Sequence, residues 1–199
     1  FKARIKILVK ALTPEGFAEK VEAEWQHIKE SPTRLTPEAI QRIQAYFTEP
    51  DYAAIDNATD LLASQRFENR GFDQWLTHNV DTHKKAGYAI VSLTMKKTGT
   101  PPGDVSDKQL EQIADLADEF SFGEIRVTHQ QNVVLADVRQ DRLFELWQAI
   151  TPMGFGTANL NTLTDVICCP GGDYCALANA KSIPVAEAIQ RQFDDLDYL

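Results

Sequence analysis

Three cysteines near the carboxyl end of the chain are the residues whose type and spacing best suit chemistry. Cys168, Cys169 and Cys175 fall within eight positions, and the sequence contains no other cysteine. The segment 170–172, Pro-Gly-Gly, favours a compact loop whose backbone can come close to a bulky ligand. Thiolates are preferred ligands of soft metals and iron–sulfur clusters. We therefore interpret the three cysteines as a ligand set or a redox site rather than a disulfide framework.

As a metal site, the cysteine group is incomplete on its own. An iron–sulfur site usually takes four thiolates, whereas this chain offers at most three, and the adjacent Cys168 and Cys169 are expected to point in different directions. Zinc is disfavoured because the histidines show no ligand spacing to the cysteines or to each other. These histidines, interpreted as surface or hydrogen-bonded residues, are His27, His78, His83 and His129. Simple burial of the cysteines in a core is the alternative.

The composition fits a globular protein with one medium domain, alone or with an appended piece. Of the 199 residues 43% are hydrophobic and 25% are charged, and the formal net charge of −9 argues against a nucleic-acid partner. No apolar run approaches the ~18–20 residues that cross a bilayer, and no signal peptide opens the sequence, so no membrane partner is expected. The cysteine usage indicates the cytoplasm, and Phe1 in place of methionine indicates that the chain begins inside a longer protein.

The amino-terminal region carries helix signals, followed by a stretch without clear periodicity. Residues 1–12 alternate like a strand although their residue types favour a helix, so the pattern leaves both open. Thr13 and Thr36 each precede a proline and a glutamate, which is typical of a helix start, and an apolar stripe follows each of them. Residues 48–82 are polar with scattered aromatics, and we predict an extended connector there.

The centre of the sequence predicts an α+β fold. Its strand–helix–strand–strand–helix order is that of a ferredoxin-like split βαβ unit, with an antiparallel sheet and helices on one face. Strands are predicted at 88–95, 124–128 and 132–138, with a fourth strand around 156–163. Helices are predicted to start at Ser106 and Asp141, and a final helix is predicted for 181–199.

Three segments resemble, in the right order, landmarks of the siroheme-dependent sulfite and nitrite reductases. Residues 158–178, which contain the cysteines, resemble the first cluster-binding segment of that family. Residues 123–132 (GEIRVTHQQN) resemble the strand–turn of its second ferredoxin-like half domain, and residues 2–9 (KARIKILV) resemble the basic helix leading from its first siroheme half domain. The resemblance implies four regions: a helical segment at 1–47, the connector at 48–82, the ferredoxin-like half domain at 83–157, and the truncated start of the second siroheme and cluster half domain at 158–199.

The resemblance implies two cofactors, siroheme and a [4Fe–4S] cluster, held between two pseudo-symmetric halves. In this family a C-x5-C pair supplies two cluster thiolates and a later C-x3-C pair supplies two more, one of which bridges to the siroheme iron. Cys169 and Cys175 match the first pair, and Cys168 stands where the family commonly has a small residue. The later pair does not occur before Leu199. Both cofactors are therefore expected only in the full-length protein, and the fragment is expected to be inactive.

Siroheme carries many carboxylates, so the resemblance also implies a pocket with cations and amide donors. The residues that it places near siroheme, mostly on the strand–turn, are Arg126, Thr128, Gln131, Asn132, Arg4 and Lys6. The alternatives are a solvated strand residue at Arg126 and a plain hairpin turn at Gln131 and Asn132. No catalytic residue is assigned, because the family's principal substrate-gripping cations belong to its first half.

The implied reaction is the six-electron reduction of a small oxyanion, either sulfite to sulfide or nitrite to ammonia. It requires an electron donor, either ferredoxin or a flavoprotein subunit. Two other functions stay open. One is a ferredoxin-like docking module with structural cysteines, and the other is a redox-sensing thiol site at Cys168 and Cys169.

Overall fold

The computed structural model describes residues 4–31 and 35–194 of the chain. The chain forms two compact units, residues 1–51 and 52–199. The first unit is helical in its described part, and α1 (Ile5–Ile28) shows that the ambiguous first segment is a helix from its fifth residue onward. Residues 1–3, which share that ambiguity, lie outside the described residues.

A proline interrupts α1. Thr13 has a φ of 67° and a ψ of 161°, which are not helical, because the ring of Pro14 disfavours helical geometry in the residue before it. α2 (Pro37–Gln44) begins as predicted, with the side chain of Thr36 accepting a hydrogen bond from the Ala39 N–H at 3.2 Å. Both Thr-Pro-Glu motifs thus start a helix as predicted, because the Thr13 side chain accepts a hydrogen bond from the Gly16 N–H at 3.3 Å and so caps the second of the two helical parts of α1.

The prediction of an extended connector at 48–82 is wrong for its second half. That half forms two helices and a strand: α3 (Thr59–Glu68), α4 (Arg70–Asn79) and β1 (Val80–Thr82). α4 is capped by Asn69, whose side chain accepts a hydrogen bond from the Phe72 N–H, and it buries Phe72 and Trp75 at helical spacing. Because the residues around these two aromatics are mostly polar, the apolar helical pattern of α4 extends over few positions and is easily missed in the sequence.

A four-stranded sheet forms the centre of the described residues 52–194. Its order is β1-β2-β4-β3, and all neighbouring strands are antiparallel. The remaining strands are β2 (Tyr88–Leu93), β3 (Arg126–Val127) and β4 (Val133–Arg139). α5 (Asp107–Phe120) connects β2 to β3, and β4 lies between these two strands. This is the predicted split βαβ arrangement, so the α+β, ferredoxin-like fold class is confirmed.

The prediction of a fourth strand around 156–163 is wrong. The edge strand is β1, which precedes β2 in the sequence and pairs with it across a short loop. Residues 156–163 turn tightly instead: the Thr162 N–H donates to the Asn159 carbonyl at 3.0 Å, and Asn161 has a φ of 62°. Backbone groups engaged in such turns are not free for a strand ladder.

The apolar core lies between the sheet and the helices α4, α5 and α6 (Leu143–Met153). Its fully buried members are Phe72, Trp75, Val91, Leu93, Ile113, Leu135, Val138, Leu146 and Ile150. α5 begins at the predicted capping box, in which Ser106 and Gln109 exchange side-chain-to-backbone hydrogen bonds.

The carboxyl-terminal helix agrees with its prediction as far as it is described. α7 (Ile183–Phe193) has Pro184 in its first turn, and residues 195–199 lie outside the described part. Among the described helices, none combines the length and the apolar character required to span a membrane.

Candidate cofactor and cluster site

A buried lysine just after β2 anchors the site. Lys96 is fully buried, and its Nζ donates hydrogen bonds to the Gln130 carbonyl at 2.6 Å and to Asp165 Oδ1 at 3.0 Å. The Asp165 side chain is only 4% exposed, so the two residues form a buried ion pair. Through these two bonds, Lys96 at the end of β2 is joined to Gln130 in the turn before β4 and to Asp165 in the segment after α6.

Asn132, at the end of the same turn, completes the buried network. Its Nδ2 donates to Asp165 Oδ1 at 3.0 Å, and its Oδ1 accepts the Met95 N–H at 3.0 Å. Asp165 Oδ2 accepts the Asn161 N–H at 3.1 Å. Because burial leaves the Asn132 side chain 2% exposed and both of its polar atoms are engaged, this residue holds the turn against the end of β2.

Gln131 connects the turn directly to the cysteine loop. Its side-chain Nε2 donates to the Cys168 carbonyl at 2.8 Å, and its Oε1 accepts the Cys168 N–H at 2.9 Å. Gln131 has a φ of 60°, a left-handed conformation that is uncommon outside glycine. A Cβ on Gly103 would lie 3.0 Å from the Gln131 Cβ, so glycine provides room for this side chain. The structure therefore brings together two segments that the sequence singled out separately.

The loop that carries the cysteines is closed by backbone hydrogen bonds. The Cys175 N–H donates to the Gly171 carbonyl at 2.8 Å, and the Gly172 N–H donates to the Ala180 carbonyl at 2.8 Å. Gly171 has a φ of 56°, and a Cβ there would lie 2.7 Å from Ser182 N. Glycine is therefore required at this position by both conformation and space.

The three thiols have different environments. Cys168 is buried, and burial, helped by the neighbouring Cys169, raises the pKa of its thiol. Cys169 is exposed; the Ser182 hydroxyl, 3.2 Å from its Sγ, and the backbone of Gly171 lower the pKa of this thiol by hydrogen bonding. Cys175 is also exposed. Cys169 is consequently the better thiolate of the adjacent pair, and Cys168 is held in its neutral form.

The donor set fits half of an iron–sulfur site. Within the described residues, no group of three or more His, Cys, Asp and Glu side chains is placed to hold a metal ion. Cys169 and Cys175 are two exposed thiols on one glycine loop, whereas a [4Fe–4S] cluster takes four thiolates. The residues present therefore fit a cluster only if other residues supply the remaining ligands.

The other residues predicted near siroheme have separate positions. Thr128 Oγ1 accepts the Asn132 N–H at 3.2 Å and so stabilises the turn. Arg126 lies on the edge strand β3 with 63% of its side chain exposed, 3.4 Å from Glu124 Oε2. Arg4 and Lys6 are exposed residues at the start of α1 in the first unit. For all of these residues, the cofactor role stays a prediction.

Sequence reasoning missed Lys96 and Asp165. The sequence did contain a signal for Lys96, because Ser92, Thr94 and Lys96 alternate with Leu93 and Met95 and so continue one face of β2 beyond its end. The structure shows that all three polar residues are buried on that face. The sequence contains no comparable signal for Asp165, whose partners come from distant parts of the chain.

Replacement of Gly171 by alanine is expected to raise the pKa of Cys169 towards its ordinary value. The new Cβ would lie 2.5 Å from Ser182 Oγ, so Ser182 must move away, and the Cys169 thiolate loses hydrogen bonds that stabilise it. The pH dependence of Cys169 alkylation, followed by mass spectrometry, measures this change. Gly172→Ala is the matched control, because a Cβ there first meets the Ala180 carbonyl oxygen at 3.4 Å. An equal change in both variants contradicts the prediction.

Comparisons with known proteins show which proteins this chain is similar to. Residues 92–153, from β2 to α6, match the family model of the nitrite/sulfite reductase ferredoxin-like half domain. The chain is 26% identical over 141 residues to the chloroplastic ferredoxin–nitrite reductase of Zea mays, covering 68% of this chain and 23% of that protein. It is 27% identical over 119 residues to the ferredoxin–nitrite reductase of Synechococcus elongatus, covering 58% of this chain and 22% of that protein.

A sulfite reductase is also among the relatives. The chain is 30% identical over 80 residues to sulfite reductase [ferredoxin] 2 of Mycolicibacterium paratuberculosis, covering 40% of this chain and 14% of that protein. The chain thus spans less than a quarter of the length of these three relatives. Residues 92–153 therefore match the ferredoxin-like half domain of the nitrite and sulfite reductases, and the curated relatives to which the chain is similar are reductases of these two kinds.

Proposed function

We propose that this chain is part of a longer reductase that uses siroheme and a [4Fe–4S] cluster to reduce nitrite to ammonia or sulfite to sulfide. One observation carries the proposal: a glycine loop with two exposed thiols, Cys169 and Cys175, is fastened by Gln131 to a half domain of this reductase family. The fragment itself is proposed to be inactive, because the loop offers only part of a cluster's ligands.

In this proposal, Cys169 and Cys175 supply two of the four cluster thiolates. Cys169 suits the role because hydrogen bonds from Ser182 and the Gly171 backbone favour its thiolate, and thiolates are the form that binds metal. Gly171 keeps the loop free of a side chain at its tightest point. When bound, the cluster would supply one-electron transfer, and the siroheme would supply the iron that binds the oxyanion substrate.

The proposed siroheme contacts come from cations and from the turn. Arg126 presents an exposed guanidinium suited to bidentate binding of a carboxylate. Thr128, Gln131 and Asn132 would support the same pocket by fixing the shape of the turn, since their side chains hydrogen-bond within the chain. For Arg4 and Lys6, which lie in the first unit, a role towards siroheme carboxylates is proposed from the resemblance to the family alone.

Ferredoxin is the proposed electron donor. The names of the relatives from Zea mays and Synechococcus elongatus include ferredoxin, and this supports the same donor here. A relative from Bacillus subtilis is named nitrite reductase [NAD(P)H], so a donor other than ferredoxin, such as a flavoprotein subunit, stays open. A cytoplasmic location, in keeping with three free cysteines, belongs to the same proposal.

A redox-sensing thiol is the second candidate function. It is favoured by Cys169, which is exposed and has a lowered pKa, the two properties that make a cysteine reactive. In this case the half domain would serve for docking, and reversible oxidation of Cys169 would change the mass of its peptide.

A visible absorption spectrum, with iron and labile-sulfide analysis, tests the proposal on the longer protein that contains this chain. Siroheme and cluster absorption, together with bound iron and sulfide, is the expected result. A protein that stays colourless after anaerobic reconstitution with iron, sulfide and siroheme contradicts the reductase and leaves the thiol site as the better function. Reversible oxidation of Cys169 in that colourless protein would then support the second candidate.

A further inference from the structure

Gln131 keeps an unfavourable backbone conformation although glycine would be free of strain there. A non-glycine residue with a φ of 60° persists when the surrounding structure holds it in place, and such residues concentrate at functional positions. In this position the Gln131 side chain makes two hydrogen bonds that glycine could not make, because both polar atoms of its amide pair with the backbone of Cys168.

The turn around Gln131 is itself fixed by buried groups. On one side, Lys96 binds the Gln130 carbonyl, and on the other side Asn132 binds Met95 and Asp165. The residues before and after Gln131 are therefore held by buried hydrogen bonds, and these bonds fix the position from which the Gln131 side chain extends. A preorganised donor and acceptor lose little conformational entropy when they bind a loop.

We propose that Gln131 is the positioning residue of the cysteine loop. By holding both backbone groups of Cys168, it keeps that side chain buried and leaves the following residue, Cys169, exposed with its Sγ beside Ser182. The assignment of Cys169 as a cluster ligand rests on the proposed function, but the control of the loop by Gln131 is a property of the free chain.

Gln131→Met, a side chain of similar length without the amide, tests this inference in the full chain. We expect the Cys168 N–H to exchange with solvent, and iodoacetamide to alkylate the Cys168 thiol, at least ~10-fold faster, because two hydrogen bonds are lost. Alkylation of the exposed Cys169 and Cys175 should change less than ~2-fold, since these thiols are already accessible. The matched control is Gln130→Met in the same turn, which keeps its backbone bond to Lys96 and should leave Cys168 protected.

Gln131→Gly separates loop control from general stability. Glycine adopts a φ of 60° without strain, so the sheet amides of β2 and β4 should exchange as slowly as in the unmodified chain while Cys168 still becomes reactive. If Cys168 stays protected in both Gln131 variants, the inference is overturned. If amide exchange in the sheet also becomes faster in Gln131→Met, the glycine variant shows whether Cys168 became reactive through loss of loop control or through loss of general stability.

The same measurements keep this inference apart from the proposed function. Thiol reactivity and amide exchange are read on the chain without any cofactor, so a colourless longer protein overturns the reductase and leaves the Gln131 result intact. Conversely, the longer protein can show full cluster absorption while Cys168 of the unmodified chain reacts as fast as an exposed thiol. That combination overturns the role of Gln131 and leaves the reductase proposal intact.

Discussion

Under the proposed function, changing Cys169 to serine should leave the longer protein without a stably bound cluster, with both iron and labile sulfide lost. A serine hydroxyl is a hard, protonated oxygen, whereas an iron–sulfur cluster binds soft thiolates. Changing Cys175 to serine is expected to have the same effect, since it removes the second exposed thiol of the loop. Iron and sulfide analysis of the purified variants, together with their visible spectra, measures the loss.

Cys168→Ser is the matched control for these two changes. Cys168 is adjacent to Cys169, but its side chain is buried, its pKa is raised and its Sγ donates a hydrogen bond to the Cys169 carbonyl. A serine hydroxyl can donate to the same carbonyl, so the cluster should be retained. Unchanged iron content in Cys169→Ser, or equal loss in all three variants, contradicts the assignment of Cys169 and Cys175 as ligands.

Changing Lys96 to methionine is expected to lower the free energy of unfolding by about 3–5 kcal/mol, because it leaves Asp165 as a buried carboxylate without its cation. Methionine fills much of the space of the lysine stem, so the loss reflects charge more than volume. The Gln130 carbonyl also loses its hydrogen-bond donor. Urea denaturation followed by tryptophan fluorescence measures the change, since Trp75 lies in the core.

Two further variants show whether the ion pair is the cause. In Lys96→Met combined with Asp165→Asn, no unpaired charge remains, so the double variant should be more stable than Lys96→Met alone. Lys97→Met alters the next, exposed lysine and should change stability by at most about 0.5 kcal/mol. A loss below about 1 kcal/mol in Lys96→Met contradicts the role assigned to this pair.

Much of the half domain was predictable because its signals are local. The Ser106 capping box, the β-rich run from Tyr88 and the two short strands on either side of residues 128–132 all depend on neighbouring residues. The cysteine spacing and the GEIRVTHQQN segment likewise pointed to the family that the comparisons support. In each case a short stretch of sequence contains the whole pattern.

The errors arose where the signal was weak or the competing partner was remote. α4 was missed because its buried face contains few residues, Phe72 and Trp75 among them, within a polar stretch. The edge strand was wrongly assigned to residues 156–163. Any strand with free backbone groups can pair at the open side of β2, and in the structure β1 is the strand that does so. Only the tertiary structure excludes the later segment, by folding it into turns.

By itself, the sequence determined the α+β class and the split βαβ order, and it predicted the three cysteines as the chemically important group. Only the tertiary structure decided how these parts meet. Gln131 holds the cysteine loop, Asn132 holds the turn through Asp165, and Lys96 forms a buried ion pair with Asp165. Amphipathic patterns record which side of an element is buried. A buried polar side chain, in contrast, must find its partner wherever the fold brings one, and here those partners lie 33 to 69 residues away along the chain.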